Sequence, residues 1–328
     1  MTPTVTVAVV GCGYLGSIHA RLWKQCERAT LVGVYDIVAE RAQKLAAEIG
    51  VAAFGSLAET LDACEAITIA TTTSEHANVA CTALAQGKHV LLEKPVAVTL
   101  DEAERIEALA AMAGTIVHVG HVERYNPAFR AALAYVSRPL FIEAHRLSPF
   151  RERGTDISVI GDLMVHDLDL VLALVREPVI RIEAHGVSVV SNSVDIANAR
   201  LEFAGGCIAN LTASRLTPKP LRKLRLFQPM AYMSLDFSVP DLEVYRIRNG
   251  HAAAGGDVSR DLASMIIHEH PSIEPSNAIA DEHRAFVASI LDGAPAVVSL
   301  HDGIAALRLA IAIEHDIKQR MEQRAFRQ

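Results

Sequence analysis

The chain has 328 residues, 31 of them Lys or Arg and 38 Asp or Glu, for a formal net charge of −7 at pH 7. This mild acidity, without a polybasic run or basic residues interleaved with aromatics, excludes nucleic acid as a partner. An apolar content of 51% supplies a large core, yet the apolar runs are interrupted too often to cross a membrane.

Residues 5–10 form a short β-rich apolar run ending in Gly11-Cys12-Gly13-Tyr14-Leu15-Gly16. Residues 17–26 then show helical spacing through Ile18, Leu22 and Cys26. Strand, glycine turn and helix in this order make a dinucleotide cradle. Gly11 permits the tight turn, Gly13 clears the approach of a pyrophosphate, and Gly16 lets helix and strand pack closely. The helix N-terminus offers phosphates free N–H groups and a partial positive charge. A second strand, 30–35, closes on Asp36, twenty positions after Gly16. An acidic residue there accepts hydrogen bonds from the adenosine ribose hydroxyls and repels a 2′-phosphate, which favours NAD over NADP. Asp36 also suits capping of a helix from Val38, and the two roles are compatible.

The alternation continues. Ser56-Leu57-Ala58-Glu59 and Thr99-Leu100-Asp101-Glu102 are capping-box patterns. Residues 66–70 read as a strand, and Thr71-Thr72-Thr73-Ser74 as a polar loop before a helix over 75–86. The hydroxyls of Thr71 and Thr73, at a strand's carboxyl end, can reach a cofactor; capping by Thr73 or Ser74 explains the loop as simply. The strand 89–92 delivers Glu93-Lys94-Pro95 to the place where open α/β sheets bind ligands. Pro95 fixes its own φ and biases Lys94 toward an extended conformation. A helix over 100–113 and a strand over 116–120 complete a parallel, doubly wound α/β domain spanning 1–121.

From residue 122 the pattern changes. Residues 127–135 read as a helix, 140–147 as a strand and 148–161 as a loop carrying Arg151 and Arg153. Residues 162–174 are apolar with helical spacing. Strand-like runs follow at 181–190, 195–203, 207–214, 222–227, 231–237 and 242–248, with Gly205-Gly206 as a tight hairpin turn. No long helix intervenes, so the second domain, 122–328, is expected to be α/β with a large, mostly antiparallel sheet. Residues 251–275 read as irregular or partly helical, and 276–291 and 300–323 as helices. An open sheet with one apolar face needs cover. A partner's equivalent sheet is one solution, so a homodimer or homotetramer is expected. Cys12, Cys26, Cys64, Cys81 and Cys207 lack ligand spacing and read as small buried fillers in a reducing compartment. Met1-Thr2-Pro3-Thr4 has no basic leader, so the expectation is a soluble cytoplasmic protein.

Asp162 and His166, four apart, would share one helical face at about 5–6 Å between Cβ atoms. Leu163, Met164, Val165, Leu168 and Leu170 would bury that helix, so two titratable groups on it require partners or a polar cavity. Taken alone, the pair is explained by an N-cap aspartate and a satisfied core histidine. Beside Lys94 and a dinucleotide it acquires a chemical reading. Oxidising an alcohol removes hydride from carbon and a proton from the hydroxyl, and a histidine titrating near about 6.5 suits the proton transfer. Lys94 stabilises a developing alkoxide or acts as the base, while Asp162 orients either group or holds a substrate hydroxyl. Asp169 can fix the His166 tautomer, and simple solvation explains it as well. No carboxylate–histidine cluster in the sequence demands a metal.

Gly11 to Gly16, Glu93-Lys94-Pro95 and the Asp162-xxx-His166 spacing together resemble the glucose-fructose oxidoreductase / inositol dehydrogenase / MocA family over essentially the whole chain. The resemblance implies a Rossmann domain followed by an α/β domain with a mostly antiparallel sheet. It implies Lys94 and His166 as the catalytic pair, assisted by Asp162, and positions near the cofactor at His19 and Thr73-Ser74-Glu75-His76; Glu93 and Lys94 are candidates for cofactor contact as well. Gly120-His121-Val122-Glu123-Arg124-Tyr125-Asn126-Pro127, Thr155-Asp156-Ile157-Ser158, and residues 162–167 and 222–227 further resemble the branch acting on UDP-N-acetylglucosamine. That branch oxidises the sugar 3-hydroxyl; an aminotransferase partner then installs a 3-amino group, on a route to a diamino-sugar lipid A. A diphosphate substrate needs cations, and Arg124, Arg146, Arg151, Arg153 and Arg215 are the candidates, since arginine binds phosphate bidentately. Each of them singly reads as well as an ordinary surface arginine. His121, Arg124, Tyr125 and Asn126 contact the sugar or brace the domain junction. The competing readings are a dehydrogenase of another sugar or a cyclitol, and a catalytically silent NAD-binding regulator.

Overall fold

In the computed structural model, residues 3–150, 157–248 and 265–325 are described. Two units make up the chain: Met1–Tyr125 with Asn277–Arg308, and Asn126–Ser276 with Leu309–Gln328. Residues 277–308, expected with the second domain, therefore group with the first.

In the first unit, the apolar runs of the four central and far strands (5–10, 66–69, 89–92 and 117–119) are buried on both faces, the condition that favours a parallel sheet. The strands are β1 (Val5–Val10), β2 (Ala29–Tyr35), β3 (Ala52–Ala53), β4 (Ala66–Ile69), β5 (His89–Leu92) and β6 (Val117–Val119), in the order β3-β2-β1-β4-β5-β6. Every neighbouring pair is parallel. The order reverses beside β1, so the carboxyl ends of β1 and β4 flank the switch point at which such sheets bind ligands. The connecting helices are α1 (Tyr14–Trp23), α2 (Ala39–Ile49), α3 (Leu57–Asp62), α4 (Thr73–Ala85) and α5 (Leu100–Ala113). The Thr99 capping box forms in full, with Thr99 Oγ1 accepting from Glu102 N–H at 3.3 Å and Glu102 Oε2 accepting from Thr99 N–H at 3.2 Å. At Ser56 only half of the box forms, because the Glu59 carboxylate accepts from Gly55 N–H instead.

Helix α8 (Ala278–Asp292) closes the first unit against α1, and α9 (Leu300–Ala325) passes from the first unit into the second at Arg308. Trp23 stacks on His283 at 3.7 Å between ring centroids, and Phe286 joins Val5, Val7 and Val9 in the same core. Full burial of a phenylalanine side chain contributes about 1.5–3 kcal/mol.

The second unit holds β7 (Phe141–Leu147), β8 (Val179–Val187), β9 (Ile196–Phe203), β10 (Ile208–Ser214), β11 (Leu221–Gln228), β12 (Ala231–Asp236), β13 (Asp241–Ile247) and β14 (Ile266–Glu269). Their order is β14-β13-β12-β11-β7-β10-β9-β8. All neighbours are antiparallel except β7 and β10. The hairpin at Gly205-Gly206 forms with Gly206 at φ +87°. Strand β14 corrects the expectation of irregular or helical chain over 251–275 where that stretch is described.

Alternation along the strands sends Ile142, Ala144, Leu211, Leu224, Leu226, Met233 and Val244 to one face. That face is covered within the chain by α6 (Pro127–Ala132), by α7 (Val165–Val175) and by Leu309, Ile313 and Ile317 of α9. The apolar face thus does not wait for a partner, contrary to the expectation. The opposite face is polar and carries a row of rings: Phe141, Phe227, Tyr232, Tyr245 and His268, with successive centroids 5.9, 4.7, 5.6 and 4.4 Å apart. All five cysteines are free thiols. Burial pushes Cys12 up to about 12, and Cys64 and Cys207 up to about 11, so none of these three is a reactive thiolate. Among the described residues, no helix is long and apolar enough to cross a membrane.

Candidate active site

The glycine turn is dictated by close approach. A Cβ on Gly11 would lie 2.5 Å from the Ala70 carbonyl oxygen, and its φ is +96°. A Cβ on Gly16 would lie 1.8 Å from the Gly11 carbonyl oxygen, so α1 starts directly on the turn. Gly13 caps α1 and has nothing within 4 Å of its missing Cβ, which leaves the helix N-terminus open on that side. Tyr14, the first helical residue, is 72% exposed, and Leu15 is half-buried. Asp36 follows β2; its Oδ2 accepts from Cys12 N–H at 2.7 Å and its Oδ1 from Val38 N–H at 2.8 Å. A carboxylate has about four acceptor positions, so both oxygens keep capacity for ribose hydroxyls.

Gly13 and Asp36 open onto a cleft of about 470 Å³, lined also by Arg41, Thr71 and Asn78. Arg41 and Asn78 were missed in the sequence; both lie on helices that start after a cradle strand, and that position is the signal that would have found them. Thr73 and His76 do not line this cleft. Thr73 opens α4, whose cap residue Thr72 makes no side-chain capping bond, so the alternative of hydroxyl capping is not realised. His76 lies 2.8 Å through Nδ1 from the Pro95 carbonyl oxygen, and burial pulls its pKa below the ordinary value. It braces the turn that carries Lys94.

That turn leaves β5 with Glu93 N–H on the Ile69 carbonyl at 3.0 Å, and the Lys94–Pro95 peptide is cis. Glu93 is buried; its Oε1 lies 2.8 Å from His19 Nε2, and its Oε2 accepts from Lys94 N–H at 3.2 Å. Gly120 gives the carboxyl room, since a Cβ there would lie 2.9 Å from it. His121 is buried just after β6, and Val122–Tyr125 is a 3₁₀ turn in which Tyr125 is buried and Arg124 lies 3.8 Å from Asp302.

In the second unit, Asp162 lies in a π-helical turn, Ile160–Met164, that runs into α7. His166 is in the first turn of α7, and both residues are half-buried. Residues 160–164 thus run as a π turn where a regular α-helix was expected from 162. Asp167 and Asp169 are buried, so solvation does not explain Asp169. Arg146 points to the covered face of the sheet and pairs with Asp167 at 2.8 Å. Arg215 is also buried; it donates to the carbonyls of Ile157 and Val194 and lies 3.7 Å from Asp195. Both arginines are thus committed to the protein's own groups rather than displayed as surface cations. Asn126 caps α6, with Oδ1 accepting from Ala128 N–H at 3.0 Å and Nδ2 donating to the Phe237 carbonyl at 3.2 Å. Arg151 and Arg153 lie outside the described residues.

Residues 5–121 match the model of an oxidoreductase family with an NAD-binding Rossmann fold, and residues 130–227 match that of the GFO/IDH/MocA C-terminal domain. The chain belongs to the Gfo/Idh/MocA oxidoreductase family. It is 36% identical over 305 residues to a UDP-N-acetylglucosamine 3-dehydrogenase of Acidithiobacillus ferrooxidans, covering 93% of each chain. The solved structure of UDP-N-acetylglucosamine 3-dehydrogenase GnnA from that organism superposes with a TM-score of 0.88 at 32% identity, covering 96% of this chain and 98% of that one. A scyllo-inositol 2-dehydrogenase (NAD(+)) of Bacillus subtilis is 28% identical over 238 residues, covering 66% of this chain and 69% of the relative.

This member of the Gfo/Idh/MocA family is an NAD-dependent oxidoreductase, and the cradle fits the cofactor. The open N-terminus of α1 and the Asp36 carboxylate occupy the positions that phosphate and ribose require. Sequence reading also missed Glu282 and His283 of α8, both buried within reach of His19.

Proposed function

We propose that the protein oxidises the 3-hydroxyl of UDP-N-acetylglucosamine to the 3-keto nucleotide sugar. The observation that carries this reading is the 36% identity, over 93% of both chains, to a relative bearing that activity in its name. NAD⁺, when bound, supplies the hydride acceptor. The N-terminus of α1 and Asp36 hold its phosphates and ribose. Lys94 and His166 serve as the acid–base pair: one takes the hydroxyl proton and the other stabilises the developing negative charge, with Asp162 as the orienting carboxylate. His121, Arg124 and Tyr125 contribute to substrate binding. An aminotransferase then consumes the ketone on a route to a diamino-sugar lipid A. The reading places the protein in the cytoplasm, consistent with five free thiols. It takes the polar sheet face, with its row of rings from Phe141 to His268, as the self-association surface of a homodimer or homotetramer.

The deciding experiment incubates the protein with NAD⁺, UDP-N-acetylglucosamine, a matching aminotransferase and glutamate, followed by mass spectrometry. The 3-amino nucleotide sugar is expected, and only when this protein is present. No product, with NAD⁺ binding confirmed, would discard the nucleotide sugar. The relation to inositol dehydrogenases then favours a cyclitol or another sugar as the substrate.

A further inference from the structure

One buried polar cluster in the first unit is not used by the reaction proposed above. His19 of α1, Glu93 after β5, and Glu282 and His283 of α8 are each more than nine-tenths buried. Glu93 is central. Its Oε1 meets His19 Nε2 at 2.8 Å, and its Oε2 receives the Lys94 backbone N–H at 3.2 Å. On the far side of His19, Nδ1 lies 2.8 Å from His283 Nε2. Glu282 completes the group, with a carboxylate oxygen within 4.8 Å of the ligand atoms of His19 and Glu93. Neither Glu282 oxygen has a hydrogen-bond partner among the described residues.

His19, held on Glu93 at 2.8 Å, can offset at most one of two carboxylates this close and this dry, so both cannot ionise without a further counter-charge. A metal cation is one remedy. However, His19 and Glu93 already meet each other at hydrogen-bond length, so a cation would have to break the contact that orders the cluster. A proton leaves that contact intact. Burial, reinforced by the Glu93 charge, raises Glu282 well above the usual carboxylate range. His283 brings no compensating charge, because burial and its neighbour His19 hold it well below the ordinary histidine value.

We propose that Glu282 is a positioning residue, kept as a neutral carboxylic acid so that Glu93 can remain beside it and hold the backbone of Lys94. The proposal rests on Lys94 acting in the reaction described above. Ionisation of Glu282 would set two negative charges side by side and loosen the Glu93 clamp on Lys94. The groups around Glu282 are His19 from α1, Glu93 from the turn after β5, and His283 from its own helix. The 3₁₀ turn packed against α8 adds Glu123 and Arg124.

The test compares the parent protein with Glu282→Gln, which keeps the shape of the neutral acid and cannot ionise, and with Glu282→Leu as a second non-ionisable variant. Thermal unfolding is followed from pH 5 to pH 10, and kcat and KM are measured over the same range. A folded-state pKa above the unfolded one gives a stability contribution that is complete below the unfolded pKa and is lost as pH rises toward the folded value. The Tm of either variant relative to the parent should therefore climb with pH. The parent's kcat should fall about tenfold per pH unit on the alkaline limb set by Glu282, with KM unchanged, and Glu282→Gln should lack that limb. A Tm difference independent of pH in both variants overturns the proposal. So does a stoichiometric divalent metal that purifies with the parent and is lost from Glu282→Gln, since a cation would then stand where the proton is placed. Absence of turnover on the nucleotide sugar would count against the proposed function alone; the Tm series would still decide the protonation of Glu282.

Discussion

Arg146 and Asp167 form a buried fork, with Arg146 Nε 3.0 Å from Asp167 Oδ2 and Nη2 2.8 Å from Oδ1. Breaking such a pair by removing one partner costs about 3–5 kcal/mol, whereas replacing both by apolar residues is often neutral. Arg146→Met should therefore lower the denaturant midpoint strongly, and Arg146→Met with Asp167→Leu should recover most of it. Urea unfolding of the three proteins checks this. A single variant of parental stability but raised KM for the nucleotide sugar would return Arg146 to the substrate.

Lys94→Ala and His166→Ala should each lower kcat by about 10²–10⁴, the range for acid–base groups. Circular dichroism should show an unchanged fold. Near-parental rates in both would remove the pair from the chemistry.

Asp36→Ala should weaken NAD⁺ binding and relax discrimination against NADP⁺. The change deletes the ribose acceptor and leaves Arg41 in the same cleft to attract a 2′-phosphate. Dissociation constants for both cofactors, measured by fluorescence, decide the matter; an unchanged preference would place Asp36 outside the ribose site.

His118, on β6, lies 2.9 Å through Nε2 from Ser289 Oγ, and burial lowers its pKa to about 4. The folded value is below the unfolded one, so the unfolded chain takes up the proton first as pH falls. Stability from this group is full above about 6.5 and is lost between there and the folded value, on the order of 3 kcal/mol in all. His118→Gln should flatten the fall of Tm over that window. An identical slope in parent and variant would show that other groups carry it.

Much of the fold was legible because its signals are local. Strand, glycine turn and helix over Val5 to Trp23 follow from spacing, as does the hairpin at Gly206. Strand β14 was not legible: it is a four-residue, half-exposed edge strand whose residues, Ile-Ile-His-Glu, do not alternate apolar with polar. The π turn at Asp162 has no sequence signature either, since it differs from an α-helix by only one residue of hydrogen-bond register. The burial of Arg146 was hidden for a related reason. Arg146 alternates onto the covered face, and its partner Asp167 lies 21 residues away. Glu282 and His283 were invisible as part of the Lys94 support because His19 is 264 residues from His283.

The seat of α8 against α1 also sets an order of events in synthesis. Trp23 and the inner side of β1 are made well before the residues that cover them, His283, Phe286 and Val287, which leave the ribosome only after the whole second sheet. The dinucleotide half of a nascent chain therefore carries a bare indole and an unsealed sheet until the rest has been made. A chain released before Asn277 would keep that surface open, as a target for chaperones and proteases, however complete its glycine turn.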